Sequence, residues 1–187
     1  MAEPDGVPKA DVQNLLAREE IRQLPHLYAA AIETRDIEAM ATLFVPHARF
    51  GDYGDGHNGL RRLMSESVEA SVFVVILVAN HLIELEGEDR AAGQVWAQCV
   101  AQTRDGFIEQ LLKYEDRYEK YEGRWRFVQR RHRLYYGVRR LASPLAQRAA
   151  DWPQSQTGVG DLPLADPVFA EWWRAAEIPA PKPEWPQ

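Results

Sequence analysis

The sequence has little of what disulfides, metal centres and membrane spans require. Cys99 is the only cysteine among 187 residues, which excludes an intrachain disulfide and a cysteine-rich zinc site. The longest apolar stretch covers eight residues, from Val72 to Ala79, whereas a transmembrane helix needs about 20. The first residues also lack the basic and apolar regions of a signal peptide. We therefore predict a soluble, cytoplasmic protein that does not bind a membrane.

Motifs for bound cofactors are missing as well. The sequence contains no glycine-rich phosphate loop, no dinucleotide fingerprint and no Gly-x-Ser-x-Gly turn, and its five histidines do not show metal-ligand spacing. We expect no cofactor and no metal. With 22 basic and 28 acidic residues the net charge is −6, and an acidic protein of this kind is a poor partner for nucleic acid.

Helical patterning dominates the first third of the chain. Apolar residues recur at helical spacing from Asp11 onward, and Pro25 inside this run is expected to kink or divide the helix. Residues 36–44 and 59–70 show the same spacing and predict two further helices. Between these two helices, residues 47–53 predict a short strand followed by a glycine-rich loop.

The middle of the chain is rich in strand-forming residues over long runs. Residues 72–86, 93–103, 107–121 and 124–137 predict four strands. Asp105-Gly106 and Glu122-Gly123 fall between successive strands and are typical of hairpin turns. This order of elements predicts an α+β fold, with three N-terminal helices on one face of a curved antiparallel sheet. We assign residues 1–10 to a leader, 11–141 to the domain and 142–187 to a C-terminal extension.

The extension differs in composition from the domain. Its 46 residues include eight of the twelve prolines and four of the six tryptophans. We predict short helices over 144–150 and 167–176 and an extended, polyproline-like end from Pro179. A free linker would not contain so many tryptophans, so the extension is expected to pack on the domain, either as core coverage or as a lid over a pocket.

His81 is the strongest candidate for acid–base chemistry. Alternation along residues 76–86 places it on an apolar face with Leu77, Ala79, Ile83 and Leu85. A histidine there is either a core residue with satisfied hydrogen bonds or a general acid/base in a pocket, because its ordinary pKa lies near neutrality. Periodicity alone leaves both alternatives open.

The last two strands contain further candidates. One face of the third strand is predicted to hold Leu112, Tyr114, Asp116 and Tyr118. A carboxylate between two tyrosines can act as a base, orient a base or belong to a structural network. On the fourth strand His132 shares a face with Arg130, although a one-residue slip would place Arg131 and Arg133 there instead.

Arginines are frequent in the fourth strand, at positions 124, 126, 130, 131 and 133. Such a stripe can indicate a nucleic-acid surface. The preceding strand and turn, however, supply Glu115, Asp116, Glu119 and Glu122. Opposite charges on neighbouring strands favour each other, so we predict a cross-strand ladder of charge pairs rather than a nucleic-acid site.

Three segments resemble SnoaL-like proteins of the nuclear-transport-factor-2-like superfamily. They are residues 24–50, from Leu24-Pro-His to Ala-Arg-Phe50, residues 80–91, beginning Asn80-His81-Leu, and residues 114–131, beginning Tyr114-Glu-Asp116-Arg-Tyr118. The resemblance covers about residues 11–137 and implies a cone-shaped α+β fold whose helices and sheet enclose a pocket. The segments are most similar to dehydratases of the scytalone and bile-acid 7α types, which eliminate water without a cofactor.

The resemblance also implies roles for individual residues. Tyr28, Glu33 and His81 fall at the places of a catalytic tyrosine, an acidic residue that is usually Asp, and a strand histidine. A second acid/base group of these dehydratases would fall near Ala101 or Gln102, neither of which titrates. The residues that we expect to contact the substrate are Tyr53, Tyr114, Asp116, Trp125, Arg130 and His132.

Two functions are compatible with these observations. The first is a cofactor-independent lyase or isomerase, in which His81 moves a proton of a hydrophobic, ring-containing hydroxy or carbonyl compound. Dehydration, double-bond migration and loss of a small aldehyde all fit this chemistry. The second is a non-catalytic ligand-binding or subunit module of the same fold. The superfamily further implies a homo-oligomer, for which the face with Gln94, Trp96 and Gln98 is the candidate surface.

Overall fold

The computed structural model describes residues 8–154 and 157–176 of the chain. The helices of the N-terminal half are α1 (Lys9–Glu33), α2 (Ile37–Thr42) and α3 (Gly56–Glu69). The strands are β1 (Ser71–Leu85), β2 (Arg90–Thr103), β3 (Gly106–Tyr121) and β4 (Arg124–Arg140). Two short helices, α4 (Asp161–Leu164) and α5 (Pro167–Ala175), follow in the extension. The predicted α+β fold is confirmed.

The four strands form one antiparallel sheet in the order β1-β2-β3-β4. Each strand pairs with the next one along the chain, so the sheet is a meander built from local hairpins. The turn between β3 and β4 consists of Glu122 (φ 50°) and Gly123 (φ 77°). Two successive residues with positive φ are what a tight hairpin turn requires, which explains the glycine at this point.

Helix α1 runs antiparallel along the edge strand β1. In the first half of the helix the Arg18 guanidinium donates to the Ile83 carbonyl (2.6 Å), and just beyond its end Arg35 donates to the Val72 carbonyl (2.7 Å). The predicted division at Pro25 is wrong, because one helix continues through this residue. Pro25 and its neighbours Ile21 and Leu24 are buried, and this packing offsets the hydrogen bond that a proline removes.

The segment between α2 and α3 also differs from the prediction. Residues 47–53 form turns and a short 3-10 helix (Gly51–Tyr53) rather than a strand. The chain pairs with the sheet slightly earlier, where Val45 N–H donates to the Phe127 carbonyl (2.9 Å) and Phe127 N–H donates to the Leu43 carbonyl (2.8 Å). Gly51, with φ of 59°, turns the chain away from extended pairing immediately afterwards.

The core is divided into two apolar clusters. The larger one joins the helices to the ends of β3 and β4 and includes Ile21, Met40, Phe44, Leu60 and Phe127. The second cluster lies on the sheet itself and consists of Val95, Ala97, Cys99, Leu112 and Tyr114, with Val74, Ile76 and Val78 packed against it. We call this second cluster the apolar wall. It is the only one of the two that no helical residue joins within the described chain.

The extension contacts the domain at the start of β1. The fully buried Phe169 of α5 places its ring 5.7 Å from that of Phe73, and Asp166, the N-cap of α5, forms an ion pair with Arg35. The helix predicted over 167–176 is confirmed, whereas residues 144–150 form turns. The polyproline-like end from Pro179 lies outside the described residues. No described helix is long and apolar enough to cross a bilayer.

Candidate active site

Two rows of side chains cross the helix-covered face of the sheet side by side. The first row consists of His81, Val95, Tyr114 and His132. The second row consists of Ile83, Gly93, Asp116 and Arg130. Directly opposed residues of antiparallel strands project to the same face, so the register alone gathers these polar groups. The first row also passes through the apolar wall at Val95 and Tyr114.

A β-bulge in β1 sets the direction of His81. The register changes between Val78, opposite Ala97, and His81, opposite Val95, so that β1 has one extra residue there. Before the bulge, Val78 projects to the face of the sheet that holds the apolar wall. After the bulge, His81 projects to that face. The prediction that Leu77 and Ala79 share the face of His81 is therefore wrong, and Leu77 is 57% exposed. A bulge that re-aims one side chain is a recurrent device beside functional sites.

A second bulge acts in the same way on β4. Phe127 lies opposite Tyr118, whereas Gln129 lies opposite Arg117, so one extra residue separates the buried Phe127 from the next inward position. Arg130 therefore points inward and Arg131 is exposed. The two registers left open by the sequence are distinguished here, with Arg130 on the side of the helices.

Three side chains form a hydrogen-bonded chain across the two rows. Nε2 of His81 lies 3.1 Å from the Tyr118 hydroxyl, and this hydroxyl donates to Oδ2 of Asp116 at 3.0 Å. Nδ1 of His81 and Oδ1 of Asp116 are buried and have no hydrogen-bond partner in the described chain. An unpartnered buried polar atom costs about 1–3 kcal/mol, and such atoms are retained mainly where function uses them.

Gly93 makes room for this chain of contacts. A Cβ atom at this position would lie 2.8 Å from the Tyr118 ring and hydroxyl and 3.2 Å from Nε2 of His81. We expect Gly93→Ala to separate His81 from Tyr118 and to lower the free energy of unfolding by about 1–3 kcal/mol, as overpacking does. Urea denaturation measures the loss in stability, and a shifted His81 NMR signal reports the broken contact.

Gly137 on β4 provides the matched control. Its added Cβ would meet only Gln110 and Leu134 at 3.6–3.7 Å, an ordinary contact distance. Gly137→Ala should leave stability and the His81 signal unchanged or raise stability slightly, because alanine restricts the unfolded chain. Equal effects of the two substitutions would contradict the close approach at Gly93.

Arg130 lies in a box of aromatic rings. Its guanidinium carbon is 3.9 Å from the ring centroid of Tyr114, 4.5 Å from that of Tyr28 and 4.7 Å from that of Phe127. Nη2 pairs with Oδ2 of Asp116 at 3.4 Å, and the two side chains are 4% and 0% exposed. Nε and Nη1 have no partner among the described residues. Arg130 thus offers the N–H groups of two buried nitrogens to an acceptor that the described residues do not supply.

Burial shifts the pKa values of these groups in opposite directions. Burial, followed by the charges of Arg130, Arg22 and His26, lowers the pKa of His81 to about 4. Burial raises the pKa of Asp116 to about 6, against the opposing effects of Arg130 and the Tyr118 hydrogen bond. His81 is therefore a neutral imidazole and Asp116 a carboxylate at neutral pH. Burial also raises the pKa values of Tyr28 and Tyr114, which keeps both phenols protonated.

The sequence of residues 13–131 matches the family described as the SnoaL-like domain. This range is more than half of the chain. The chain belongs to the SnoaL-like domain family. No protein of curated function matches it in sequence.

Several solved structures share the fold of this SnoaL-like domain. Hexachlorocyclohexane dehydrochlorinase LinA-type3 from Novosphingobium barchaimii LL02 is 19% identical with a TM-score of 0.65, over 71% of this chain and 95% of that chain. A provisionally named scytalone dehydratase from Novosphingobium aromaticivorans DSM 12444 is 17% identical with a TM-score of 0.62, over 71% and 93%. At these identities the likeness shows the fold alone, and it agrees with the cone-shaped arrangement that the resemblance implied.

One further structure extends the match toward the C-terminus. A single-residue variant of Rv3472 from Mycobacterium tuberculosis, a protein of unknown function, is 23% identical with a TM-score of 0.58 and covers 88% of each chain. Residues 1–141 are only about three quarters of the present chain, so part of the extension has an equivalent in that protein.

Four of the predicted site residues do not join the His81 cluster. Glu33 is the last residue of α1 and is exposed, so the acidic group that reaches His81 is Asp116 through Tyr118. Tyr53 donates instead to Glu66 (2.7 Å) beside α3. Trp125 is buried in the larger core cluster. His132 is exposed at the far end of the first row, its ring centroid 5.8 Å from that of Tyr114.

The remaining predicted residues are brought together. Arg130 contacts Tyr28, Tyr114 and Asp116 directly, and His81 joins this group through Tyr118. Tyr118 and Gly93 are the two participants that the sequence analysis did not assign to the site. A glycine inside a strand often marks a close approach of another group, and this was the available signal.

Several other arginines of β4 take part in surface pairs. Arg133 lies 3.8 Å from Glu115, and Arg124 lies 2.9 Å from Glu20 of α1. These contacts agree with the predicted charge ladder, although one of them reaches a helix instead of a strand. In the part of the chain that the structure describes, no three His, Cys, Asp or Glu residues are grouped as metal ligands would be.

Proposed function

We propose that this SnoaL-like domain is a cofactor-independent lyase or isomerase and that His81 is its general base. The substrate is a hydrophobic, ring-containing hydroxy or carbonyl compound. One observation supports this proposal: a neutral His81 with a buried, unpartnered Nδ1 is linked through Tyr118 and Asp116 to Arg130, whose buried Nε and Nη1 also have no partner among the described residues. A proton acceptor and an oxyanion binder in one site are what removal of a proton adjacent to a carbonyl requires.

His81 and Arg130 have different roles in this reaction. With a β-hydroxy ketone, Nδ1 of His81 takes the proton from the carbon next to the carbonyl. The electron pair left behind moves to the carbonyl oxygen, where N–H groups of Arg130 stabilise the negative charge. When the pair returns, it forms the carbon–carbon double bond, the carbon–oxygen bond of the hydroxyl breaks, and the imidazolium proton leaves with it as water. Isomerisation uses the first two steps and returns the proton at another carbon.

The surroundings favour an apolar ring as the rest of the substrate. The apolar wall continues the row of His81 through Val95 and Tyr114 and includes two small residues, Ala97 and Cys99. At its far side Leu134 is 54% exposed, so the wall is open to solvent there. A ligand that contacts Leu134 and the partly exposed Val74, Ile76 and Val78 would cover apolar surface that water now reaches, at about 25 cal/mol for each Å².

Access to Nδ1 requires a change at α1. The atom is buried, while the ring of His81 is partly accessible. Arg22 and His26, whose charges act on His81, are both exposed residues of α1. We infer that this side of α1 moves when substrate reaches Nδ1 of His81.

A turnover screen tests the proposal. Wild-type protein is incubated with bicyclic and steroid-like β-hydroxy ketones, diols and unsaturated ketones, and binding is followed by thermal shift. The proposal predicts that compounds which raise the melting temperature are converted to a dehydrated or isomerised product. If several compounds bind and none is converted, the non-catalytic alternative replaces the enzyme.

That alternative is a ligand-binding or subunit module. It is favoured by the position equivalent to a second acid/base group, where the buried Gln102 hydrogen-bonds to the Thr103 carbonyl and to Ser143 and cannot titrate. In a binding module the N–H groups of Arg130 would hold an acceptor atom of the ligand, and His81 would serve only as a wall residue.

We further propose that the chain forms a homo-oligomer through the outer face of the sheet. This face has a groove of about 490 Å³ lined by apolar and charged side chains of both signs, including Leu82, Glu84 and Arg131. Leu82 is 69% exposed there, and Trp96 packs against Tyr135 nearby, with ring centroids 5.7 Å apart. Light scattering after gel filtration tests the proposal, and a monomer at micromolar concentration would contradict it.

A further inference from the structure

The Tyr118 hydroxyl has only one proton, and this restricts how His81 can be protonated. The phenol oxygen lies within hydrogen-bond distance of both Nε2 of His81 and Oδ2 of Asp116. An ionised carboxylate can only accept a hydrogen bond, so the Tyr118 O–H must donate to Asp116. The phenol oxygen then has a lone pair left for His81, and the matching donor is an N–H at Nε2.

A proton on Nε2 determines the state of the other ring nitrogen of His81, Nδ1. A neutral imidazole has one N–H, and when this proton is on Nε2 the lone pair is on Nδ1. Nδ1 is the buried atom that has no partner in the described chain. The hydrogen-bond order Asp116, Tyr118, His81 thus leaves the basic electron pair on the nitrogen that is free to take a proton.

We propose that Asp116 is a positioning residue which, through Tyr118, fixes His81 as the Nε2–H tautomer and so keeps Nδ1 available as the base. This inference rests on the proposed function, in which Nδ1 receives the substrate proton. No proton has to travel along the chain of contacts. After transfer, the His81 imidazolium is hydrogen-bonded to Tyr118, whose oxygen is polarised by the Asp116 carboxylate, and this arrangement stabilises the new positive charge.

The surroundings of Asp116 and His81, the two ends of the hydrogen-bonded chain, support this arrangement. Asp116 is fully buried and also pairs with Arg130, which fixes its position on the sheet. Gly93 lies between the strands of His81 and Asp116 and lets the Tyr118 ring cross over β2. The groups that act on His81 from the packed elements are Arg22 and His26 of α1, Tyr118 and Asp116 of β3, and Arg130 of β4.

Acid should reverse the direction of the hydrogen bonds. Asp116 gains a proton below a pKa of about 6, while His81 stays neutral down to about 4. A protonated Asp116 donates to the Tyr118 oxygen, so that the Tyr118 O–H turns to Nε2 of His81. The ring must then hold its proton on Nδ1, and the base is lost although the imidazole is uncharged.

Nitrogen NMR of the histidine side chains tests the inference without any substrate. Protein labelled with ¹⁵N at histidine is measured at about pH 7.5 and about pH 5, either side of the Asp116 pKa. His81→Gln assigns the signals of His81 by their disappearance. We expect the Nε2–H tautomer at the higher pH, the Nδ1–H tautomer at the lower pH, and a mixture in Tyr118→Phe at the higher pH.

Tyr121→Phe on the same strand is the matched control, because the Tyr121 ring lies under Arg126 and meets His47 edge to face, and has no contact with His81 in the described chain. It should retain the wild-type tautomer. An Nδ1–H tautomer in wild type near pH 7.5, an unchanged tautomer in Tyr118→Phe, or no reversal at pH 5 would each overturn the inference. If the tautomer behaves as expected and no compound is turned over, the proposed function fails and the positioning of His81 stands.

Discussion

His81→Gln should reduce kcat by about 10²–10⁴-fold on any compound that the wild-type protein converts. This is the range that a positioned general acid or base contributes. Glutamine keeps a polar group of similar length that can still hydrogen-bond to Tyr118, but it has no basic nitrogen. The half-buried position of His81 makes a small change in stability the expected side effect. Steady-state kinetics and urea denaturation of the same preparations separate the two effects.

His47→Gln is the control for this substitution. His47 is an exposed histidine whose ring lies 3.3 Å from Glu119, outside the cluster, so its loss should leave kcat unchanged. If His81→Gln retained wild-type kcat and only lowered the melting temperature, His81 would be a core residue and the proposed mechanism would be wrong.

Arg130→Leu should lower the free energy of unfolding by about 3–5 kcal/mol. Removal of Arg130 leaves the Asp116 carboxylate buried without a compensating charge. A loss of about 3–5 kcal/mol is usual when one partner of a buried ion pair is removed. Solvent screens the attraction between these two charges little, because both side chains are almost completely buried. The cation–π contacts with Tyr114 and Tyr28 are lost as well. Urea denaturation measures the change.

Two further variants show whether the loss in stability arises from the ion pair between Arg130 and Asp116. Arg131→Leu, at the exposed neighbouring position, should stay within about 0.5 kcal/mol of wild type. Arg130→Leu combined with Asp116→Asn should recover much of the loss, since neither charge is then left alone in the core. If the double substitution were as unstable as the sum of the two single ones, the pair would not be coupled and the account of the buried charge would be incorrect.

The fold was largely predictable because its signals are local. The helices and strands follow from apolar periodicity, and the dipeptides Asp105-Gly106 and Glu122-Gly123 mark two of the hairpins. The strand bounds therefore differ from the predicted ones by three residues at most. The exceptions depend on tertiary contacts. Pro25 remains inside α1 because the surrounding packing compensates, and residues 47–53 do not extend because the chain has already paired with β4 at Phe127.

The site was predictable only in part because period-two patterns change at a bulge. A single extra residue inverts which side chains face the core, and nothing in residues 76–86 marks where it occurs. His81 was assigned to the correct face, while Leu77 and Ala79 were not. The contact between Tyr118 and His81 depends on the register across three strands and on the absent side chain of Gly93, and neither can be derived from one strand alone.

The exposed position of Glu33 has a geometric origin. Helix α1 lies antiparallel to β1, with Arg18 at Ile83 and Arg35 at Val72. His81 therefore lies near the middle of the helix, beside Arg22 and His26, and not near its last residue. A resemblance in spacing along the chain could not reveal this placement, because it depends on how the helix and the strand run past each other.

Solvent deuterium exchange shows whether His81 removes a proton from a carbon acid bound at the site. Ketones that bind but have no leaving group, such as α-tetralone and its substituted forms, are incubated with the protein in D₂O and analysed by proton NMR. We expect wild-type protein to accelerate exchange next to the carbonyl and His81→Gln not to do so. Binding of these ketones with exchange no faster than in buffer would contradict this expectation and would identify the site as a binding pocket.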